Sequence, residues 1–155
     1  EIETDIPNNL PLILGESLQI EQVILNLLSN ARDAIDSRAE KIRKESGSTQ
    51  GYTKKLSLRL EATSEKEVCL IVSDNGTGMN DEVKTKILEP FFTTKPVGRG
   101  TGLGLSISYG IIAMHNGRIE VDSTLGEGTT FRVFLPVFDE NAEAAKQVSE
   151  KELKA

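Results

Sequence analysis

Between Gly98 and Gly104 a glycine stands at every second position of "FFTTKPVGRGTGLGLS" (91–106), directly before the apolar run "LSISYGIIAM". Glycines so spaced let backbone N–H groups come close to a ligand, and a helix starting at their end adds a partial positive charge. A phosphate is the guest this chemistry suits. Two phosphate loops of fixed geometry are excluded. A P-loop requires a Gly-Lys pair, and the chain contains none. The dinucleotide pattern G-x-G-x-x-G fails from Gly98, Gly100 and Gly102, whose sixth positions are Leu103, Leu105 and Ile107. On this stretch alone, an ordinary surface loop stays open as the alternative.

Three more stretches carry chemistry. In "IEQVILNLLSNARDAI" (20–35), a helical turn of about 100° per residue gathers Ile20, Ile24, Leu27, Leu28, Ala31 and Ile35 into one apolar arc. Asn26, Asn30 and Asp33 fall together on another side. Asn weakens a helix relative to Ala, so two of them one turn apart among leucines cost stability without aiding packing. They are either a solvated face or a pair of amide oxygens aimed at a hard cation or a phosphate. In "SDNGTGM" (73–79), Asp74 sits where an apolar strand passes into a loop. A calcium loop is excluded, because Gly76 and Gly78 stand where oxygen ligands are needed and Met79 where glycine is. A plain turn is one reading of this stretch. The other has Asp74 accepting a hydrogen bond from an exocyclic amine such as adenine N6, with Gly76 and Gly78 letting backbone approach a flat ring. In "EPFFTTK" (89–95), Phe91 and Phe92 are core residues or the root of a lid, and Lys95 and Arg99 are solvated cations or phosphate partners.

The elements that must position these residues are legible from pattern. A long helix is predicted from about Ser17 to Arg43, then a breaker-rich connection, "ESGSTQGYT". "LSLRLEAT" alternates like a strand with one buried face, and "EVCLIVS" reads as a fully buried strand, the two turning at Ser64–Lys66. Asn80 is placed to cap a short helix over "DEVKTKIL". After the glycine-rich loop a third helix is expected to run to about His115, followed by strands "GRIEVDST" and "TTFRVFLP" around the turn "LGEG". Residues 1–14 read as two short extended pieces. The sum is an α/β two-layer sandwich, one mixed sheet carrying about three helices on one face. The polar segment 137–155 has no apolar face and reads as a connector or frayed end beyond a domain of residues 1–136.

Composition narrows the partners. The chain has 155 residues, 37% hydrophobic and 27% charged, with net charge −6. That acidity speaks against nucleic acid, whose binders present a basic face. No run approaches the roughly 18 apolar residues of a membrane span, and the acidic start is unlike a signal peptide, so no membrane contact by this domain is expected. The one cysteine, Cys69, lies in "VCLIV" and is read as a small buried hydrophobe.

Taken in order, "NLLSNARDAI", "DNGTGM", "EPFFTTK" and "GRGTGLGLS" resemble the N, G1, F and G2 boxes of the ATP-binding catalytic domain of bacterial sensor histidine kinases. "HNGRIEVDSTLGEGTTFRVFLP" is similar to that family's closing strand pair, which extends the resemblance over about Glu1–Pro136. The superfamily is shared with gyrase, Hsp90 and MutL, and the resemblance implies its Bergerat-type sandwich with a nucleotide under a lid. It implies ATP and Mg²⁺ as cofactors, with Asn30 as metal ligand and Asn26 as its helper. It makes Asp74 the adenine partner, shaped by Gly76 and Gly78, with Thr129 or Thr130 supporting the base through water. Gly100, Gly102 and Gly104 would form the phosphate-facing lid and helix start, and Phe92, Lys95, Arg99, Thr101 and Leu103 complete the ATP-binding set. Many members carry Lys three residues after the metal-binding Asn. Asp33 stands there in this chain, so a phosphate contact from that position is in doubt and Lys95 or Arg99 would compensate.

Gyrase-like members place a general-base Glu four residues before the metal-binding Asn; this chain has Asn26, and an amide cannot take a proton from water. Transfer to a histidine needs no such base, since neutral imidazole is already a nucleophile near pH 7. The resemblance therefore implies a protein histidine kinase whose acceptor lies on a separate dimerisation and phosphotransfer domain, with a response regulator downstream. The only histidine here, His115, reads as a helix-end residue. A cytoplasmic domain of a parent protein, membrane-anchored or not, is expected. A hydrolysing ATPase and an interaction module that has lost nucleotide binding remain as rivals.

Overall fold

The computed structural model describes residues 1–95 and 100–139. Eight elements follow one another: β1 (Ile2–Asp5), α1 (Ser17–Ser46), β2 (Leu56–Ser64), β3 (Glu67–Asp74), α2 (Asp81–Lys86), α3 (Gly104–Met114), β4 (Arg118–Thr124) and β5 (Gly128–Pro136). The strands form one mixed sheet in the order β1-β2-β3-β5-β4, parallel at β1–β2 and antiparallel elsewhere. Ile13 adds an isolated antiparallel bridge to Val137, so only the first of the two expected N-terminal pieces is a strand. Among the described residues no helix is long and apolar enough to cross a membrane.

α1 and α3 cover one face of the sheet. Alternation on β3 and β5 turns Leu70, Val72, Phe131, Val133 and Leu135 toward Val23, Leu27 and Ala31 of α1 and Ile111 and Ile112 of α3. The opposite face buries Cys69, Ile71 and Phe134, under the guanidinium of Arg118, which lies 3.8 Å from the Phe134 ring centroid. β3 is thus apolar on both sides, as its unbroken run requires. Burial pushes the Cys69 thiol up to about 11.

Two sequence expectations for α1 shift. The helix ends at Ser46 rather than Arg43, closed by Gly47, whose N–H bonds the Arg43 carbonyl. Its fully buried stripe is Val23, Leu27, Ala31, Ile35 and Ala39, while Ile20, Ile24 and Leu28 are only half-buried against the core. Four-residue steps overshoot a 3.6-residue turn, so this stripe winds around the helix. α1 also has two neighbours, the sheet and α3, and Val23 is fully buried in the core that the three share. His115 ends α3: its Nδ1–H donates to the Ile111 carbonyl (2.7 Å) and its Nε2 accepts from the Glu16 N–H (3.1 Å). A histidine held this way staples the start of α1 to the end of α3.

Candidate functional site

A cleft of about 810 Å³ opens between α1, α2, the start of α3 and the ends of β3 and β5. Asp74, Gly78 and Thr129 stand at one end, and Asn30, Lys95 and Gly100 at the other. The register explains the first group. Asp74 pairs with Thr129 across β3 and β5, and alternation sends Thr129 to the cleft and Thr130 to the opposite face, where its hydroxyl meets Ser73 Oγ at 2.9 Å. Thr129 is buried, with its Oγ1 2.9 Å from Ser123 Oγ.

Asp74 Oδ1 accepts the Gly76 N–H at 2.7 Å. Burial raises its carboxyl from 3.8 to about 6, against the opposing pull of backbone hydrogen bonds from Gly76 and Thr129. The loop behind it is held from three sides. Thr77 N–H donates to the Ala34 carbonyl (3.2 Å), and Met79 N–H to Ser123 Oγ (2.9 Å). Arg38, from α1, donates to the carbonyls of Asn75 (2.8 Å) and Glu127 (3.0 Å) while lying over the Tyr52 ring. Gly78 has φ +60, and a Cβ there would lie 1.9 Å from the Thr124 carbonyl oxygen. Gly76 does not line the cleft; its Cβ would meet Ala34 at 2.6 Å, so it lets the loop lie against α1.

At the other end, Asn26 Nδ2 donates to the Gly104 carbonyl and to Ser108 Oγ, both at 3.2 Å, tying α1 to the first turn of α3. Asn30 Oδ1 accepts from Lys95 Nζ at 3.2 Å, and the same ammonium donates to Asp33 Oδ2 at 2.8 Å. Burial pushes the Asp33 carboxyl up, but hydrogen bonds and charge from Lys95 and Arg32 outweigh it and leave it below the usual range. Phe91 N–H donates to the Gly102 carbonyl at 2.9 Å, and Gly102, at φ +67, leaves a Cβ only 2.4 Å from Phe91. Gly102 thus closes the segment by a turn a side chain would not allow. Gly104 makes only ordinary contact, 3.6 Å from Asn26. The two phenylalanines part: Phe92 lines the cleft and packs on the core, whereas Phe91 is exposed.

Asn26, Asn30, Asp33, Asp74, Gly78, Phe92, Lys95, Gly100, Thr101, Gly102, Gly104 and Thr129 therefore share one cleft, and Gly76, Leu103 and Thr130 stand outside its lining. Arg99 lies outside the described residues. Sequence reasoning missed the apolar wall of Met79, Val83 and Ile87, although a spacing of four places them on one side of α2 and its two flanks. It also missed Arg38, for which no local signal exists.

Asn30 Oδ1 is a hard oxygen that already faces a cation in the cleft, which suits Mg²⁺ held by one protein ligand and by substrate phosphates. Among the described residues no cluster of three or more His, Cys, Asp or Glu forms a cage for a metal.

Residues 15–139 match the family described as histidine kinase-, DNA gyrase B- and HSP90-like ATPase, and the chain belongs to that family. Sensor kinase CckA of Brucella abortus is 43% identical over 136 residues, covering 88% of this chain and 14% of that protein. The catalytic domain of histidine kinase ThkA matches with TM-score 0.67 and 30% identity, over 88% of this chain and 78% of that one. Full-length ShkA, solved in complex with AMPPNP, matches with TM-score 0.70 and 25% identity, over 90% of this chain and 26% of that one. The α/β sandwich and the kinship with sensor histidine kinase catalytic domains read from the four boxes agree with these matches. The chain spans about a seventh of the CckA length.

Proposed function

We propose that this domain binds ATP with Mg²⁺ and passes the γ-phosphoryl group to a histidine on a separate dimerisation and phosphoacceptor domain, which in turn serves a response regulator. The observation that carries the reading is the identity and engagement of Asn26. Four residues before Asn30 stands an amide whose nitrogen is tied to Gly104 and Ser108, so that position offers no base to activate water. An imidazole acceptor needs none.

Asp74 accepts a hydrogen bond from the adenine amine, an acceptor that guanine, with a carbonyl at the equivalent position, would not satisfy. Thr129 supports the base through water, and Phe92 closes the side of the cleft. Gly100, Thr101, Gly102 and Gly104 bring backbone and the start of α3 to the phosphates, and Asn30 gives its amide oxygen to Mg²⁺. Mg²⁺ supplies charge neutralisation on the phosphates; the protein supplies position. ATP places the domain's work in the cytoplasm.

Calorimetric titration with ATP and Mg²⁺ tests this. Saturable binding with no sustained heat is expected. Sustained heat would indicate hydrolysis instead, and no binding would remove the site. Asn30→Ala is expected to abolish the Mg²⁺ dependence of binding; a dependence that persists would place the cation elsewhere.

A further inference from the structure

The cleft holds a cation of its own. Lys95 Nζ bridges two oxygens one helical turn apart, Asn30 Oδ1 at 3.2 Å and Asp33 Oδ2 at 2.8 Å, and both Lys95 and Asp33 are two-thirds removed from solvent. An ammonium and a divalent ion cannot share one amide oxygen as closest partner, because each would bring its charge within a few ångströms of the other. We infer that Lys95 and Asp33 form a cation-exchange pair: Lys95 holds the Asn30 oxygen in the empty cleft, turns its charge to the phosphates when a nucleotide arrives and so leaves that oxygen to Mg²⁺ where the ion is present, and Asp33 is its resting counter-ion rather than a nucleotide ligand.

Three features support this role for Asp33. It is an acid on the side of α1 facing the phosphate end of the cleft, where a carboxylate left alone would repel the nucleotide. It is half-buried and held ionised by Lys95 and Arg32, so its charge is present at neutral pH. Its bond to Lys95 joins positions 62 residues apart, from α1 to the segment after Phe92, so the pair links two separate walls of the cleft. The Lys95 N–H, donated to Thr93 Oγ1 at 3.1 Å, anchors that position from the other side.

The inference rests on the nucleotide-site reading above and predicts a pattern that reading does not. ATP affinity of the chain is measured by calorimetry with Mg²⁺ and with chelator, for the unaltered protein, Lys95→Met, Asp33→Asn and the double variant. Lys95→Met is expected to lose on the order of tenfold in Mg²⁺-free affinity, the scale of a charge-assisted bond to phosphate, and less with Mg²⁺ present. Asp33→Asn is expected to gain on the order of tenfold without Mg²⁺, because Lys95 no longer has a counter-ion to leave. That gain should shrink strongly in the Lys95→Met background, since Asp33 acts through Lys95. An equal gain in both backgrounds would reduce Asp33 to a general field effect and overturn the pairing. So would an unchanged ratio of Mg²⁺-bound to Mg²⁺-free affinity in Lys95→Met. Failure of the unaltered chain to bind ATP under either condition would instead overturn the site itself, and this inference with it.

Discussion

At the Asp74 end of the cleft, polar contacts run to the backbone of strands and turns: Arg38 to two carbonyls, Thr77 to the Ala34 carbonyl, Gly76 to the Asp74 carboxylate. At the Asn30 end Asn26 and Phe91 also bond to backbone carbonyls, but Lys95 reaches across to the side chains of Asn30 and Asp33. Backbone partners cannot be exchanged without refolding the loop, whereas a lysine can change partners by rotating its stem. One end of the cleft is therefore held rigid by its own backbone, and the other keeps a side chain that can re-pair.

The sharpest way to break the base end is Gly78→Ala. Its Cβ would fall 1.9 Å from a carbonyl oxygen at a φ of +60, and a loss of at least about 2–3 kcal/mol is expected, read by chemical denaturation. Asp74→Asn comes next. It should cost on the order of a hundredfold in ATP affinity, since a charged acceptor becomes a donor facing an amine. The unliganded fold should not suffer, because the substitution removes a buried charge and leaves an oxygen for the Gly76 N–H. Loss of fold in that variant would show Asp74 to be structural.

The raised pKa of Asp74, from 3.8 to about 6, sharpens the same point. The native state binds this proton more tightly than the unfolded chain does. Ionised Asp74 therefore opposes folding above about pH 6, and that penalty is relieved as pH falls toward 3.8. Recognition runs the other way: adenosine, which has no phosphate to titrate, should bind more weakly as pH drops through about 6, a decline that Asp74→Asn abolishes. Arg38→Ala should cost about 1–2 kcal/mol of stability and weaken adenosine binding, with Arg38→Lys restoring only part, since an ammonium can meet the carbonyls but lacks the planar group that lies over the Tyr52 ring. Gly110→Ala, on α3 with nothing within 4 Å of the added Cβ, is the counterpart away from both ends and should raise stability by about 0.5–1 kcal/mol without touching affinity.

Much of the fold was legible because its signals are local. Alternation in "LSLRLEAT", the Asn80 cap, whose Oδ1 accepts the Val83 N–H, and the turn at Ser64–Lys66 all depend on residues a few positions apart. The candidate site was legible as four boxes but not as contacts. Alternation along the strand separates Thr129 from Thr130, but only the pairing of Thr129 with Asp74 across the sheet shows which of them meets the cleft. The glycines looked alike in sequence, yet Gly78 and Gly102 have positive φ while Gly76 makes room for Ala34.

The sequence by itself determined the elements, the family and the residue types that meet in the cleft, because hydrophobic period, caps and glycine spacing act over one or two turns. Tertiary structure alone decided which of those residues touch. The Lys95–Asp33 pair and the Arg38 clamp join α1 to segments 62, 37 and 89 positions away, and only the packing of the elements in space brings them within reach.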